Sequence, residues 1–186
     1  IPNSNPFQAG VAGEYGAAAV LTSTNESAVV EKLDYLGTRY VMTDYQMAGA
    51  KFGAMAIWND SVAQLTPYYY TFLQNSNGNL QMVQAYTPEY YNTLTVKLQY
   101  YDGSMTEPGE VAVVETDSSA NYGYPVITNV RGYATAEEAQ AAADAFNANA
   151  SATKHAYVIA NPSSTATAYL PSTTVPALQH FRLVHE

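Results

Sequence analysis

The sequence predicts a mixed α/β fold. Helices pack on a small mixed β-sheet in a single domain over residues 1–186, with a β-rich part around residues 106–174. Three observations carry this expectation. From Glu26 to Trp58 the chain reads helix, glycine turn, strand, helix, the alternation of α/β architecture. Residues 111–115 (VAVVE) and 126–130 (VITNV) are short, apolar, β-prone runs. Residues 135–149 open with Thr135 and Glu138 at capping-box spacing and continue as a mostly alanine helix.

The elements follow in chain order. Residues 1–13 hold Pro2, Pro6, Gly10 and Gly13 and read as an ordered loop. Residues 13–21 are small and apolar, the pattern of a short packed helix. A helix beginning at Asn25 or Ser27 runs to about Leu36, with Val29, Val30, Leu33 and Leu36 on its buried face and Gly37 as its stop. Tyr40, Val41 and Met42 make a short strand, and Thr43 and Asp44 then offer helix-capping oxygens. Residues 61–74 read as a helix broken or started by Pro67. NSNGN at 75–79 is a turn, and 80–86 a strand. Pro88 and Glu89 start a helix that carries Leu94, Leu98 and Tyr101 and stops at Asp102-Gly103. In the alanine-rich helix the inward face is Ala139, Ala142, Ala143 and Phe146. Residues 157–160 and 178–184 read as strands, separated by a Ser/Thr/Ala/Pro-rich loop at 161–176.

Composition narrows the function classes. The 186 residues suffice for a real core, and 47% hydrophobic content argues against disorder. Formal net charge is −9 with seven Lys plus Arg, which excludes a basic footprint for nucleic acid or anionic lipid. No Cys is present, so disulfides and thiolate metal sites are excluded. His155, His180 and His185 show no metal-ligand spacing. No window approaches the ~20 consecutive apolar residues of a membrane-spanning helix. Seventeen Tyr suit either carbohydrate contact or half-exposed sheet positions.

The stretch YVMTDYQMAGAKFGAMAIW (40–58) organises the chemistry. Asp44, Met47, Lys51 and Met55 are spaced three, four and four, which stacks them along one face of a helix. The face is an acid, a thioether, a cation and a second thioether, whereas a face that only packs on a core is uniformly apolar. Gly49 and Gly53 lie between them and invite a kink or a close backbone approach. A straight helix would separate Asp44 and Lys51 by about 10 Å along its axis, so their pairing would need a kink at Gly49 or extended side chains.

The pattern D-x-x-M-x-x-x-K-x-x-x-M resembles a motif of the archaeal oligosaccharyltransferase (AglB-type) family, single-subunit membrane enzymes of asparagine-linked glycosylation. Met55 stands where the family often has Ile. IPNSNPFQAGV (1–11) resembles the segment just downstream of the family's catalytic-domain signature. ALQHFRLVHE (177–186) resembles a strand closing its central unit, and the Tyr-rich helix ending in Asp102-Gly103 is similar to one in the family. The resemblance implies that Asp44, Met47, Lys51 and Met55 help form the pocket for the Ser or Thr of an Asn-x-Ser/Thr acceptor. It also implies a partner, the acceptor polypeptide. A lipid-linked oligosaccharide donor and a divalent metal (Mn or Mg) would bind a membrane domain that this chain lacks. The family's Trp-Trp-Asp-Tyr-Gly motif is not present, the single Trp being Trp58. The expectation is therefore a C-terminal soluble domain of a larger membrane protein, lying on the extracellular face. It would carry no catalytic residue and no metal of its own, and be inactive alone. A reading from another class is a stand-alone extracellular carbohydrate-binding or surface-layer module.

Three glycan-acceptor triplets occur: Asn25-Glu26-Ser27, Asn59-Asp60-Ser61 and Asn149-Ala150-Ser151. Asn161-Pro162-Ser163 is excluded by its proline. Chance in a Ser/Asn-rich chain and self-modification of an outward-facing enzyme both account for them.

Overall fold

The computed structural model describes residues 16–59, 65–120, 122–161 and 169–184. The expected loop at 1–13, residues 61–64 of the expected helix, residues 162–168 of the 161–176 loop and the 185–186 end lie outside these residues. The fold is mixed α/β, and the chain divides into two compact units. One comprises Ile1–Tyr68, Glu89–Met105 and Pro176–Glu186; the other comprises Tyr69–Pro88 and Thr106–Val175.

The first unit is helical. Helix α1 (Ala17–Leu21) is followed by α2 (Glu26–Tyr35), α3 (Tyr45–Ala48) and α4 (Phe52–Asn59); α5 (Pro88–Tyr91) and α6 (Leu94–Tyr101) come later in the chain. Asn25 caps α2: its side chain accepts the Ala28 N–H at 3.1 Å. Gly37, at φ +63°, ends α2 with the Thr38 N–H bonded to the Leu33 carbonyl at 2.8 Å. The buried stripe is narrower than predicted: Val29 and Leu33 are buried, Val30 is half-buried and Leu36 is exposed. Val20, Val29, Leu33, Leu94 and Leu178 form the core, with Val41, Leu98 and Phe181 packed against it. The predicted single helix after Pro88 is two, because Thr93 spends its hydroxyl and N–H on the Tyr90 carbonyl. Asp102 in the left-handed region and Gly103 at φ +73° end α6 as expected.

Two expected strands of this unit are corrected. Residues 40–42 join no ladder among the described residues; Val41 packs inward while Tyr40 and Met42 stay exposed. Residues 178–184 are not a strand either. The Leu178 N–H goes to the Gly103 carbonyl, and the Gln179 and His180 N–H groups go to the Glu26 carboxylate. A segment whose donors are spent on a side chain has none left for a neighbouring strand.

The second unit is a five-stranded mixed sheet of β1 (Tyr69–Ser76), β2 (Asn79–Tyr86), β3 (Val111–Asp117), β4 (Val126–Tyr133) and β5 (Lys154–Ala160), in the order β2-β1-β4-β3-β5. The β1–β4 pair is parallel and the others are antiparallel. Strand β1 corrects the expected helix over 61–74. The β-prone run YYTFL precedes a two-residue Asn77-Gly78 loop, and both loop residues have positive φ, the turn that joins antiparallel strands. The Asn75 side chain accepts the Gly78 N–H at 2.9 Å and holds the loop.

Strand β3 lies between β4 and β5 and is buried on both faces. Val111 and Val113 face helix α7 (Ala136–Asn149), meeting Ala139, Ala143 and Ala156, with Ala142 and Phe146 beside them. The predicted small-residue face of α7 is the face that packs. Ala112 and Val114 point the other way, toward Phe72 and Ile159. Thr135 caps α7 by accepting the Glu138 N–H at 3.2 Å. Tyr70 and Tyr157 occupy half-buried sheet positions with ring centroids 4.8 Å apart. Among the described residues no helix is long and apolar enough to cross a membrane.

Candidate functional site

The predicted site residues lie on α3, α4 and the turn between them. Asp44 is the N-cap of α3; its Oδ1 accepts the Met47 N–H at 2.9 Å. Four residues later the helix stops. Gly49 leaves helical geometry (φ −108°, ψ −105°), the Lys51 N–H reaches back to the Gln46 carbonyl at 2.7 Å, and α4 restarts at Phe52. The single helix implied by the spacing is thus two short helices, interrupted where Gly49 invites it. A Cβ at Gly49 would sit 3.0 Å from the Tyr45 carbonyl oxygen.

The interruption alters the predicted face. Asp44, Met47 and Met55 are half-buried, and Lys51 is exposed on the turn. No ion pair joins Asp44 to Lys51 among the described residues. The pair found is Glu26–His180. Asp44 therefore works locally, as a cap.

Behind the turn lies an aromatic cluster. Phe52, 0% exposed, makes edge-on contacts with Tyr68 at 5.1 Å and Tyr90 at 4.8 Å, and Tyr90 meets Tyr91 at 5.2 Å. The Tyr90 hydroxyl donates to the carbonyl of Ala48, the last residue of α3 and itself fully buried. The Tyr68 hydroxyl donates to the Thr22 carbonyl at 3.1 Å, and burial pushes its phenol up from the usual range. These tyrosines build the core under the site.

Sequence reasoning did not single out Glu26 or Lys97. Glu26, in the first turn of α2, gathers the 178–181 segment onto that helix. Lys97 on α6 is 6% exposed; burial pushes its ammonium down, and Glu26 draws it back up. The available signal was the lone lysine among apolar neighbours in LTVKLQYY. No three His, Asp or Glu side chains converge to hold a metal among the described residues.

Comparison with known proteins gives the class first. The AglB core domain model matches residues 1–48, a stretch that includes Asp44 and Met47. Two curated relatives are glycotransferases. Dolichyl-phosphooligosaccharide-protein glycotransferase 3 of Archaeoglobus fulgidus is 32% identical over 125 residues, which is 56% of this chain and 14% of that protein. Dolichyl-monophosphooligosaccharide–protein glycotransferase AglB of Haloferax volcanii is 31% identical over 99% of this chain and 18% of that protein. The chain is thus similar, over most of its length in the second case, to AglB-type archaeal oligosaccharyltransferases. It spans less than a fifth of the length of these curated relatives. Two structures of the A. fulgidus oligosaccharyltransferase are also similar. One, in complex with zinc and sulfate, has 24% identity and TM-score 0.42, with 60% of this chain and 16% of that chain covered. The other, in complex with an inhibitory peptide and a dolichol-phosphate, has 27% identity and TM-score 0.40, with 64% and 16% covered.

Proposed function

We propose that this chain is a domain of an asparagine-linked oligosaccharyltransferase and that it serves the acceptor side of the reaction. Asp44, Met47, Lys51 and Met55 line the pocket for the Ser or Thr of an Asn-x-Ser/Thr polypeptide. The observation that carries this reading is the interrupted helix: Asp44 is spent on the Met47 amide, and Lys51 stands exposed on the turn. An ammonium that is not neutralised by its own helix is available to acceptor carbonyls or to a carboxylate elsewhere in the enzyme. Met47 and Met55 supply polarizable apolar walls for a threonine methyl.

The remaining chemistry belongs to the rest of the polypeptide. The lipid-linked oligosaccharide and a divalent metal, manganese or magnesium, bind a membrane-embedded part, and the present domain lies on the extracellular face. The residues of this chain bind and orient the acceptor; they do not activate it. The test is Lys51→Ala in the complete enzyme, assayed for glycan transfer to an acceptor peptide. Reduced transfer with intact folding supports the pocket, and unchanged transfer removes Lys51 from it.

A further inference from the structure

We infer that Asn149 is itself an N-glycan attachment site of this protein. Of the two acceptor triplets that are wholly described, Asn149-Ala150-Ser151 is the one that stands at the exposed end of a helix. Asn149 is the last residue of α7, Ala150 is extended (φ −77°, ψ 152°), and Ser151 begins the turn into β5. Asn149 and Ser151 are both exposed. The acceptor therefore sits at the exposed helix end, with one extended residue, Ala150, between it and Ser151. One contact restrains the acceptor amide, its Nδ2 donating to the Ala145 carbonyl at 2.8 Å on the exposed side of α7. The Ser151 hydroxyl shares a hydrogen bond with that of Thr153 at 3.2 Å on the surface.

The other triplets contrast with it. Asn25 caps α2, its neighbour Glu26 holds Gln179 and His180, and Ser27 lies inside the first turn of the helix. Presenting Asn25 in extended form would unwind that turn and release the 178–181 segment. The second triplet, at Asn59, extends beyond the described residues. Two positions before Asn149, Asn147 is clamped to Ala156 at both ends of its amide, accepting its N–H at 2.8 Å and donating to its carbonyl at 3.1 Å. Asn147 holds β5, so Asn149 is presented from a fixed base.

In the modification, the bond between the anomeric carbon of a lipid-phosphate-linked glycan and its phosphate oxygen breaks. The electron pair leaves on the lipid phosphate. The Asn149 Nδ2 forms the new bond to that carbon and gives up one proton to solvent. The inference rests on the extracellular placement proposed above.

The experiment is mass spectrometry of the complete polypeptide purified from its native cells. Cleavage after Arg131 and Lys154 yields one peptide, 132–154, containing Asn149 and no other triplet. We expect this peptide to carry the mass of a glycan, lost in both Asn149→Gln and Ser151→Ala and retained in Asn25→Gln. An unmodified 132–154 peptide, from cells whose surface glycoproteins are glycosylated, overturns the inference and leaves the proposed function standing. Failure of that function reads differently: surface glycoproteins stay glycosylated when the gene is deleted.

Discussion

Glu26 and His180 lie 154 residues apart in sequence and meet at a single carboxylate oxygen. Glu26 Oε1 accepts the backbone N–H of His180 and of Gln179, each at 2.7 Å, and lies 3.2 Å from His180 Nδ1. Burial raises the Glu26 pKa, but the two N–H groups and the His180 ring outweigh it, so the carboxyl sits below its ordinary range. A depressed carboxyl contributes stability above its unfolded pKa, about 4.3 for Glu, and loses it as pH falls through the folded value. We expect denaturant midpoints to fall on acidification below the ordinary glutamate range, and Glu26→Gln to flatten that part of the profile. At neutral pH Glu26→Ala should cost about 1–3 kcal/mol, the worth of hydrogen bonds to a charged acceptor, measured by urea titration.

Lys51→Ala separates function from folding. The side chain is exposed, so stability should change by less than about 0.5 kcal/mol. If Lys51 donates one charge-assisted bond to the acceptor, transfer by the complete enzyme should drop about tenfold or more. Initial rates on an acceptor peptide, beside a denaturation curve of the domain, decide it.

Tyr90→Phe acts from the interior. It keeps the ring contacts with Phe52 and removes the hydroxyl that donates to the Ala48 carbonyl. A buried carbonyl that loses a donor should cost about 1–3 kcal/mol. Because that carbonyl ends α3, peptide transfer should fall as well, which steady-state kinetics with the variant would show.

Ala139→Leu tests the sheet unit. Ala139 is 0% exposed and meets Val111 and Val113. Extra methylenes in such a contact should cost about 1–3 kcal/mol, and the midpoint shift should exceed that of a similar change at exposed Ala141.

Locally encoded elements were the most legible. The Thr135 cap, the Asn25 cap, Gly37 and the Asn-Gly turn each specify their conformation within a few residues, and each stands where its chemistry places it. The misread segments depend on distant partners. YYTFL could not be told from a helix by its apolar content alone, although the Asn77-Gly78 turn required a strand before it. Residues 178–184 look β-prone, but their donors go to a glutamate near the other end of the sequence. In the candidate site the residue types and the break at Gly49 were legible. The loss of Asp44–Lys51 pairing was not, because it follows from which hydrogen bond Asp44 makes first.

The break at Gly49 has an evolutionary consequence. Helix α3 has four residues, too few to persist alone, and its end is fixed by a hydroxyl from the ring cluster beneath it. The position of Lys51 is therefore inherited from Tyr90 and Phe52. Swapping one packed ring for another can shift the ammonium without touching any polar residue of the motif. On the proposed role of Lys51, diverging copies of this protein would drift in acceptor preference while their motif letters stay the same, and selectivity would then be better compared through their buried rings.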